Sequence, residues 1–299
     1  MQVILNLTMR NMKKYFRDRA AVFFSFLSIF IVIFLYLFFL ADMQVREILN
    51  SISGIPGYLE RETDIRFMVN SWLVAGLLTV NTITIPISIL SMNVEDKYNK
   101  IGNDFHATPA KRHQIVMGYI ISAWIIGFIT SLVVLAVGEA YIVFKGGTLL
   151  GFVDLLKVLG ILAMSIIMFS GMFYIIVIFL NSSTQVATVN TLVGTFSGFL
   201  GGIYVPLGIL GTVGTVIKFF PLAHIAALLR QVFMKDALEK VFWGAPESAI
   251  ANIRNFYGVD LIVGTHLFKP FELILIIAGF TVLCYGIAML IYGRMKRKH

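Results

Sequence analysis

Residues 71–92 read SWLVAGLLTVNTITIPISILSM and contain no charged residue. A helix needs about 20 mostly apolar residues to cross a bilayer, so this stretch is long enough to span one. The whole chain has the same character, because its 299 residues are 58% hydrophobic and only 13% charged. Soluble domains average about 25% charged residues. The composition therefore predicts an integral membrane protein and excludes a disordered chain or a disulfide scaffold.

Five further stretches have the length and polarity of a membrane span, namely residues 20–41, 114–144, 155–180, 184–210 and 271–292. We therefore expect an all-α, polytopic fold with six transmembrane helices in one domain, residues 1–299. Lys and Arg number thirteen on the side that holds both termini, against five in the short connections of the other side. Cytoplasmic segments carry the excess of Lys and Arg, so both termini are expected in the cytoplasm, with the protein in the plasma membrane.

Residues 1–19 are expected to form an interfacial helix before the first span. Apolar residues recur there at helical spacing beside a basic face; the first set is Leu5, Met9, Met12 and Phe16, and the second is Arg10, Lys13, Lys14 and Arg17. This pattern is typical of a helix that lies on anionic headgroups. The alternative is a basic flank that only orients the first span.

The predicted cytoplasmic segment 93–113 is too long for a turn and too short for a domain. Asp104 and Phe105 place one aromatic side chain among charges, while Thr108 and Pro109 are suited to begin the third span as N-cap and first helical residue. A single aromatic among charges suits docking into a groove of a cytoplasmic partner. The alternative is an ordinary solvated connection.

Two predicted spans carry stripes of small and hydroxyl residues at helical spacing. The second span has Asn81, Thr84 and Ser88, and the fifth has Thr188, Thr191 and Thr195, continued by Gly198 and Gly202. Such stripes either let helices pack closely, here at a subunit interface, or line a hydrated path. Glu139 is the one clear charge inside a predicted span. Either it has a functional role, or its side chain reaches the outer interface.

An outer segment, residues 203–270, is expected to contain re-entrant helices and an extracellular part. Gly201, Gly202 and Pro206 break the fifth span, and Pro221 begins a new helix with Arg230 on its polar side. Apolar backbone at membrane depth must satisfy its own hydrogen bonds, which favours short helices here. Residues 236–265 are predicted to be an external polar loop.

The sequence lacks the motifs of an enzyme. It has no phosphate-binding G-x-x-x-x-G-K-[ST] run, no metal-binding His spacing, and a single cysteine, Cys284. We expect no catalytic residue, no metal and no cofactor in this chain. Its basic residues flank apolar runs rather than cluster on a soluble face, so nucleic acid is not an expected partner.

The order of these features resembles the permease subunits of type-2 ATP-binding-cassette exporters. The resemblance rests on the basic first helix, on Glu95-Asp96 after the second span, on Asn103-Asp104-Phe105 before Thr108-Pro109 and Lys111-Arg112, and on the outer 201–206 and 221–230 segments. It implies a prokaryotic half-transporter that pairs with a second permease subunit, the same or homologous, and with a separate cytoplasmic ATPase that holds ATP and Mg. Membrane lipids surround it.

The resemblance also implies roles for particular residues. Coupling to the ATPase would fall to Glu95, Asp96, Asp104, Phe105, Pro109 and Arg112. The two stripes would line the substrate path or the dimer face. The substrate would be hydrophobic or amphipathic: a drug, a peptide, a lipid or a lipid-linked glycan. A membrane sensor or immunity protein that binds a peptide without pumping is the alternative, and an ion-coupled carrier is disfavoured because buried charge is scarce.

Overall fold

The computed structural model describes residues 1–36, 41–51, 58–99, 101 and 110–296. The helices in chain order are α1 (Gln2–Arg17), α2 (Arg19–Leu35), α3 (Ala41–Ser51), α4 (Glu62–Tyr98), α5 (Arg112–Phe144), α6 (Phe152–Phe179), α7 (Ser183–Leu200), α8 (Gly211–Ile217), α9 (Pro221–Phe233), α10 (Lys235–Val241), α11 (Glu247–Phe256) and α12 (Pro270–Lys296). Two 3-10 turns, Tyr58–Arg61 and Leu207–Leu210, join them. Strands β1 (Ile262–Val263) and β2 (His266–Leu267) form one antiparallel hairpin. The all-α prediction is confirmed.

Four of these helices are long and apolar enough to cross a membrane: α4, α5, α6 and α12, the last over Pro270–Ile291. They correspond to the second, third, fourth and sixth predicted spans. The first predicted span falls on α2 and on residues 37–40, which lie outside the described part of the chain. The count of six spans stays a prediction.

Helix α4 is the centre of the bundle. It packs against α3, α5, α6, α7, α9 and α10. In α4, 83% of the most apolar 18-residue stretch is buried inside the protein, whereas in α12 the corresponding share is 17%. An apolar helix that the protein covers belongs to the core, whereas one that the protein leaves open, like α12, offers its side chains to lipid.

The fifth predicted span is shorter as a helix than the sequence indicates. Helix α7 ends at Leu200 rather than continuing to residue 210. Gly202 has φ of 63°, a left-handed value that glycine adopts most readily. The chain then folds back so that the Ile203 N–H donates to the Gly198 carbonyl at 2.9 Å, and the Tyr204 ring fills the space where a Gly198 side chain would stand.

The predicted external loop, residues 236–265, is more ordered than its polarity indicates. It contains most of α10, all of α11 and strand β1. Arg254 forms a two-pronged ion pair with Asp260, both N–O distances being 2.7 Å. The buried Trp72 indole of α4 donates to the Tyr257 carbonyl at 3.1 Å. These contacts fix the segment against the end of α4.

Candidate functional site

Helix α1 lies directly on the first turns of α5. Thr8 donates to the Gly118 carbonyl at 3.4 Å, and Asn11 donates to the Ser122 hydroxyl at 3.1 Å. A Cβ on Gly118 would stand 2.8 Å from the Leu7 Cβ, closer than such atoms approach. The glycine therefore permits the close crossing that brings α1 against the bundle.

The neighbouring face of α1 reaches the last turn of α4, where it meets a buried carboxylate. Asp96 accepts hydrogen bonds from Arg10 at 2.8 Å, Lys14 at 2.9 Å and the Tyr119 hydroxyl at 2.6 Å. These four residues, Asp96, Arg10, Lys14 and Tyr119, are called the Asp96 cluster below. They join three helices, namely α1, α4 and α5.

Electrostatics explains why Asp96 needs all three partners. Its side chain is only 2% exposed, and the carbonyl end of a helix disfavours a negative charge in its last turn. A buried charge without a partner costs several kcal/mol, so the two cations and the phenol offset the loss of water. Partial burial lowers the pKa of the Arg10 guanidinium, but the hydrogen bond and charge of Asp96 outweigh this effect and leave that pKa above its ordinary value.

Of the predicted coupling residues, Asp96 is the one that the structure places in a dense contact network. Glu95 is about half exposed, 3.9 Å from the Lys14 ammonium, and Arg112 is exposed at the start of α5. Asp104, Phe105 and Pro109 lie outside the described residues, as does the expected N-cap Thr108. Helix α5 begins at Arg112, where the Gln114 side chain accepts from the Lys111 N–H at 3.0 Å.

Three of the four residues in the predicted apolar stripe of α1 face away from the bundle, whereas Met12 is partly buried and packs against the core. Leu5, Met9 and Phe16 are 60%, 48% and 44% exposed. The side that packs on α5 is instead built from residues that the stripe did not include: Leu7, Thr8, Asn11 and Tyr15. A helix with one face on protein and an apolar face left open is suited to lie in a membrane interface.

The stripe predicted on the second span divides between two environments. Asn81 is buried and donates to the Ser131 hydroxyl of α5 at 2.8 Å. Thr84 donates to the Val80 carbonyl of its own helix at 3.0 Å, and Ser88 is partly exposed. The amide of Asn81 therefore holds α4 to α5 within one chain, and the other two side chains lie nearer the surface.

The stripe predicted on the fifth span divides in the same way. Thr188, Thr191 and Thr195 are exposed on α7, together with apolar neighbours such as Phe196 at 56%. Gly198, in contrast, is buried. Gly202 is buried too, and a Cβ there would meet the Arg230 guanidinium at 3.2 Å. The two glycines shape the turn after α7, while the threonines form an open face.

Arg230 of α9 is fully buried, whereas the sequence pattern assigned it to a polar face. Its guanidinium donates to the Gly201 and Gly202 carbonyls at 2.6 and 2.9 Å, and it lies over the Trp72 ring at 5.3 Å. Its Nε and Nη1 have no hydrogen-bond partner among the described residues. The prediction was wrong because two free carbonyls at the end of α7 and an aromatic face supply the partners that water would supply at a surface.

Glu139 has a structural contact at the end of α5. One carboxylate oxygen accepts from the Leu150 N–H at 2.9 Å, which fixes the connection between α5 and α6. The side chain thus turns to the end of the bundle where α5 finishes. No cluster of three or more His, Cys, Asp or Glu that could hold a metal occurs within the described ranges.

Sequence reasoning missed Tyr119 and the buried role of Arg230, and it assigned Arg10 and Lys14 either to lipid headgroups or to a basic flank that orients the first span. The signal for Arg230 was present, because one arginine in the apolar run 222–233 is expensive unless it is paired. No comparable signal pairs Asp96 with Arg10, Lys14 and Tyr119, which lie on other helices.

The comparisons with known proteins identify the family of the chain. Residues 2–234 match the family described as ABC-2 type transporter, and this match covers most of the chain. No curated protein matches the sequence. The family consists of membrane permease domains rather than enzymes, and the apolar helices fit a membrane protein. The chain belongs to the ABC-2 type transporter family and is the membrane subunit of an ABC transporter.

Proposed function

We propose that this subunit exports a hydrophobic or amphipathic substrate with energy from ATP hydrolysed on a separate cytoplasmic ATPase. In this proposal ATP and Mg bind the partner, and two permease subunits, identical or homologous, form the path. Both termini face the cytoplasm of a prokaryotic cell. The observation that carries the proposal is the Asp96 cluster, which ties α1 and the end of α4 together at the start of the predicted coupling segment.

The cluster offers a route for motion from the coupling segment into the bundle. Residues 93–113 begin within the last turns of α4 and end within the first of α5, and the Asp96 cluster fixes both helices to α1. Because α4 packs against six other helices, a push on its end displaces the core rather than a peripheral element. Rigid-body movement of packed helices is a common form of switching. The half-exposed Glu95 and the exposed Arg112 lie at the same end and are proposed to meet the ATPase with Asp104, Phe105 and Pro109.

The open face of α7 supports the proposed path. Exposed threonines alternate there with exposed apolar side chains, among them Leu192 and Phe196. The Thr188 and Thr191 hydroxyls donate to carbonyls of their own helix at 2.9 Å each, so the face presents mainly methyl groups and rings. Such a surface suits an amphipathic or apolar substrate between two subunits better than a small ion.

The decisive experiment reconstitutes the subunit with the ATPase that purifies with it and measures ATP hydrolysis and uptake of a lipophilic fluorescent dye into inverted vesicles. We expect Phe105→Ala and Asp104→Lys to abolish stimulated hydrolysis and dye uptake while the protein still inserts. Asp236→Lys is the matched control, because it makes the same charge reversal at an exposed position of α10. Normal transport by the Phe105 and Asp104 variants would refute the coupling assignment. Peptide resistance that persists in cells with a hydrolysis-deficient ATPase would favour the non-pumping, peptide-binding sensor instead.

A further inference from the structure

A cleft opens at the end of the bundle opposite the Asp96 cluster. Helix α5 runs from the cluster to the Tyr141–Asn70 hydrogen bond at 3.2 Å, and α6 begins shortly afterwards, so Phe152 lies at that far end. The cleft has a volume of about 470 Å³ and lies between α6, α9 and the start of α12. This volume is within the range of about 300 to 1,000 Å³ that small-molecule sites occupy.

The floor of the cleft is apolar. Its lining includes Ile161, Met164, Leu228, Val232 and Ile274. Gly160 also lines it, and a Cβ built on this glycine meets nothing within 4 Å, so the space in front of it is open. Ile274 is 40% exposed and belongs to α12, which is the least buried of the four candidate spans. The floor is therefore continuous with the surface that α12 offers to lipid chains.

The rim of the cleft is cationic. Lys157, Lys235 and Asp154 line it. Lys157 pairs with Asp154 at 2.6 Å, which leaves the positive charge of Lys235 unbalanced. The Lys235 side chain is exposed and has no ion-pair or hydrogen-bond partner in the part of the chain that the structure describes. Asp154, the one acidic group among the described residues that line the cleft, is thus already paired, and the rim favours an anion.

We infer that this cleft binds a membrane glycerophospholipid, with its phosphate at Lys157 and Lys235 and an acyl chain along Gly160 and the apolar floor. The assignment follows from the combination of a cationic rim with an apolar floor that opens beside a lipid-facing helix. A soluble anion would use the rim but not the floor, and a neutral apolar molecule would use the floor but not the rim. A lipid held here would bridge α6, α9 and α12, and would stabilise their packing.

The test measures the thermal stability of the full-length protein in detergent as phosphatidylglycerol is added. Each lysine near a membrane surface contributes about a 5-fold factor in affinity for an anionic lipid, so the Lys157→Gln, Lys235→Gln double variant should bind about 25-fold more weakly. Diacylglycerol with the same chains should stabilise the wild type much less, and inorganic phosphate should not stabilise it. Lys145→Gln is the matched control, because Lys145 is exposed at the same end of the bundle but does not line the cleft.

A second variant tests the acyl-chain site separately. Gly160→Leu places a side chain in the open space and should weaken phosphatidylglycerol binding without altering either lysine. Unchanged affinity in the double lysine variant would overturn the headgroup assignment, and unchanged affinity in Gly160→Leu would overturn the chain assignment. Equal stabilisation by inorganic phosphate would show that the rim binds a free anion and not a lipid. None of these outcomes depends on ATP hydrolysis or transport, so they leave the proposed function untouched.

Discussion

The Arg10–Asp96 contact can be measured with a double-mutant cycle of Arg10→Gln and Asp96→Asn. A hydrogen bond to a charged group contributes about 1.5 to 3 kcal/mol. The Arg10 side chain is 32% exposed and Asp96 only 2%, so we expect the lower part of that range, about 1.5 to 2 kcal/mol. This energy corresponds to about a 10- to 30-fold change in the equilibrium for undocking α1, because about 1.4 kcal/mol is a factor of ten.

The assay is hydrogen exchange of the α1 amides, since local opening of a helix is read directly as faster exchange. In the wild-type background Arg10→Gln should accelerate exchange by this factor, whereas in the Asp96→Asn background it should have little further effect. The Arg10 contact with Asn11 is lost in both backgrounds, so it cancels in the cycle. Lys13→Gln is the matched control, because Lys13 is exposed on the same helix. Equal acceleration by Arg10→Gln in both backgrounds would refute the Asp96 cluster as the element that holds α1.

Three further predictions concern packing. Gly118→Val should push α1 off α5, since even a Cβ at this position contacts Leu7 at 2.8 Å, and limited proteolysis should then cut α1 faster than in the wild type. Ser131→Ala removes the acceptor for Asn81 and should cost about 0.6 kcal/mol of stability, the average for hydrogen bonds between membrane helices. The melting temperature should fall accordingly, and an unchanged melting temperature would argue against that bond. Gly202→Ala should cost about 1 to 2 kcal/mol in unfolding free energy because its φ is 63°, and stability equal to the wild type would show that the turn adopts another backbone conformation.

The sequence predicts the long helices well because lipid imposes a length and a polarity on them. The predicted span 114–144 corresponds to α5 (Arg112–Phe144), and 155–180 corresponds to α6 (Phe152–Phe179). Helix α4 extends well beyond its apolar part at both ends, because its polar ends make tertiary contacts that hydropathy does not register. Helix α7 stops early because a short glycine pair, rather than a change in polarity, ends it.

The candidate site is less predictable. Asp96 can be predicted as a candidate because it follows an apolar run. Its partners Arg10 and Tyr119 lie before and after it in the sequence, and no local pattern pairs them with it. Arg230 was assigned to the wrong side of α9 because amphipathicity treats every charge as a surface residue. Its true environment depends on two carbonyls and a ring from other elements, which only the tertiary structure brings together.

The tryptophan that lies beneath Arg230 belongs to the same helix as Asp96. Trp72 and Asp96 are separated by about 36 Å along α4 at 1.5 Å per residue, so this one rod connects the basic N-terminal helix with the turn that follows α7. Pro86 lies between them and removes one backbone hydrogen bond from the rod. We expect axial displacement to pass along α4 with little loss, while sideways bending concentrates at Pro86. Movement at one end of the protein is therefore expected to reach the other end through α4, which is one continuous helix.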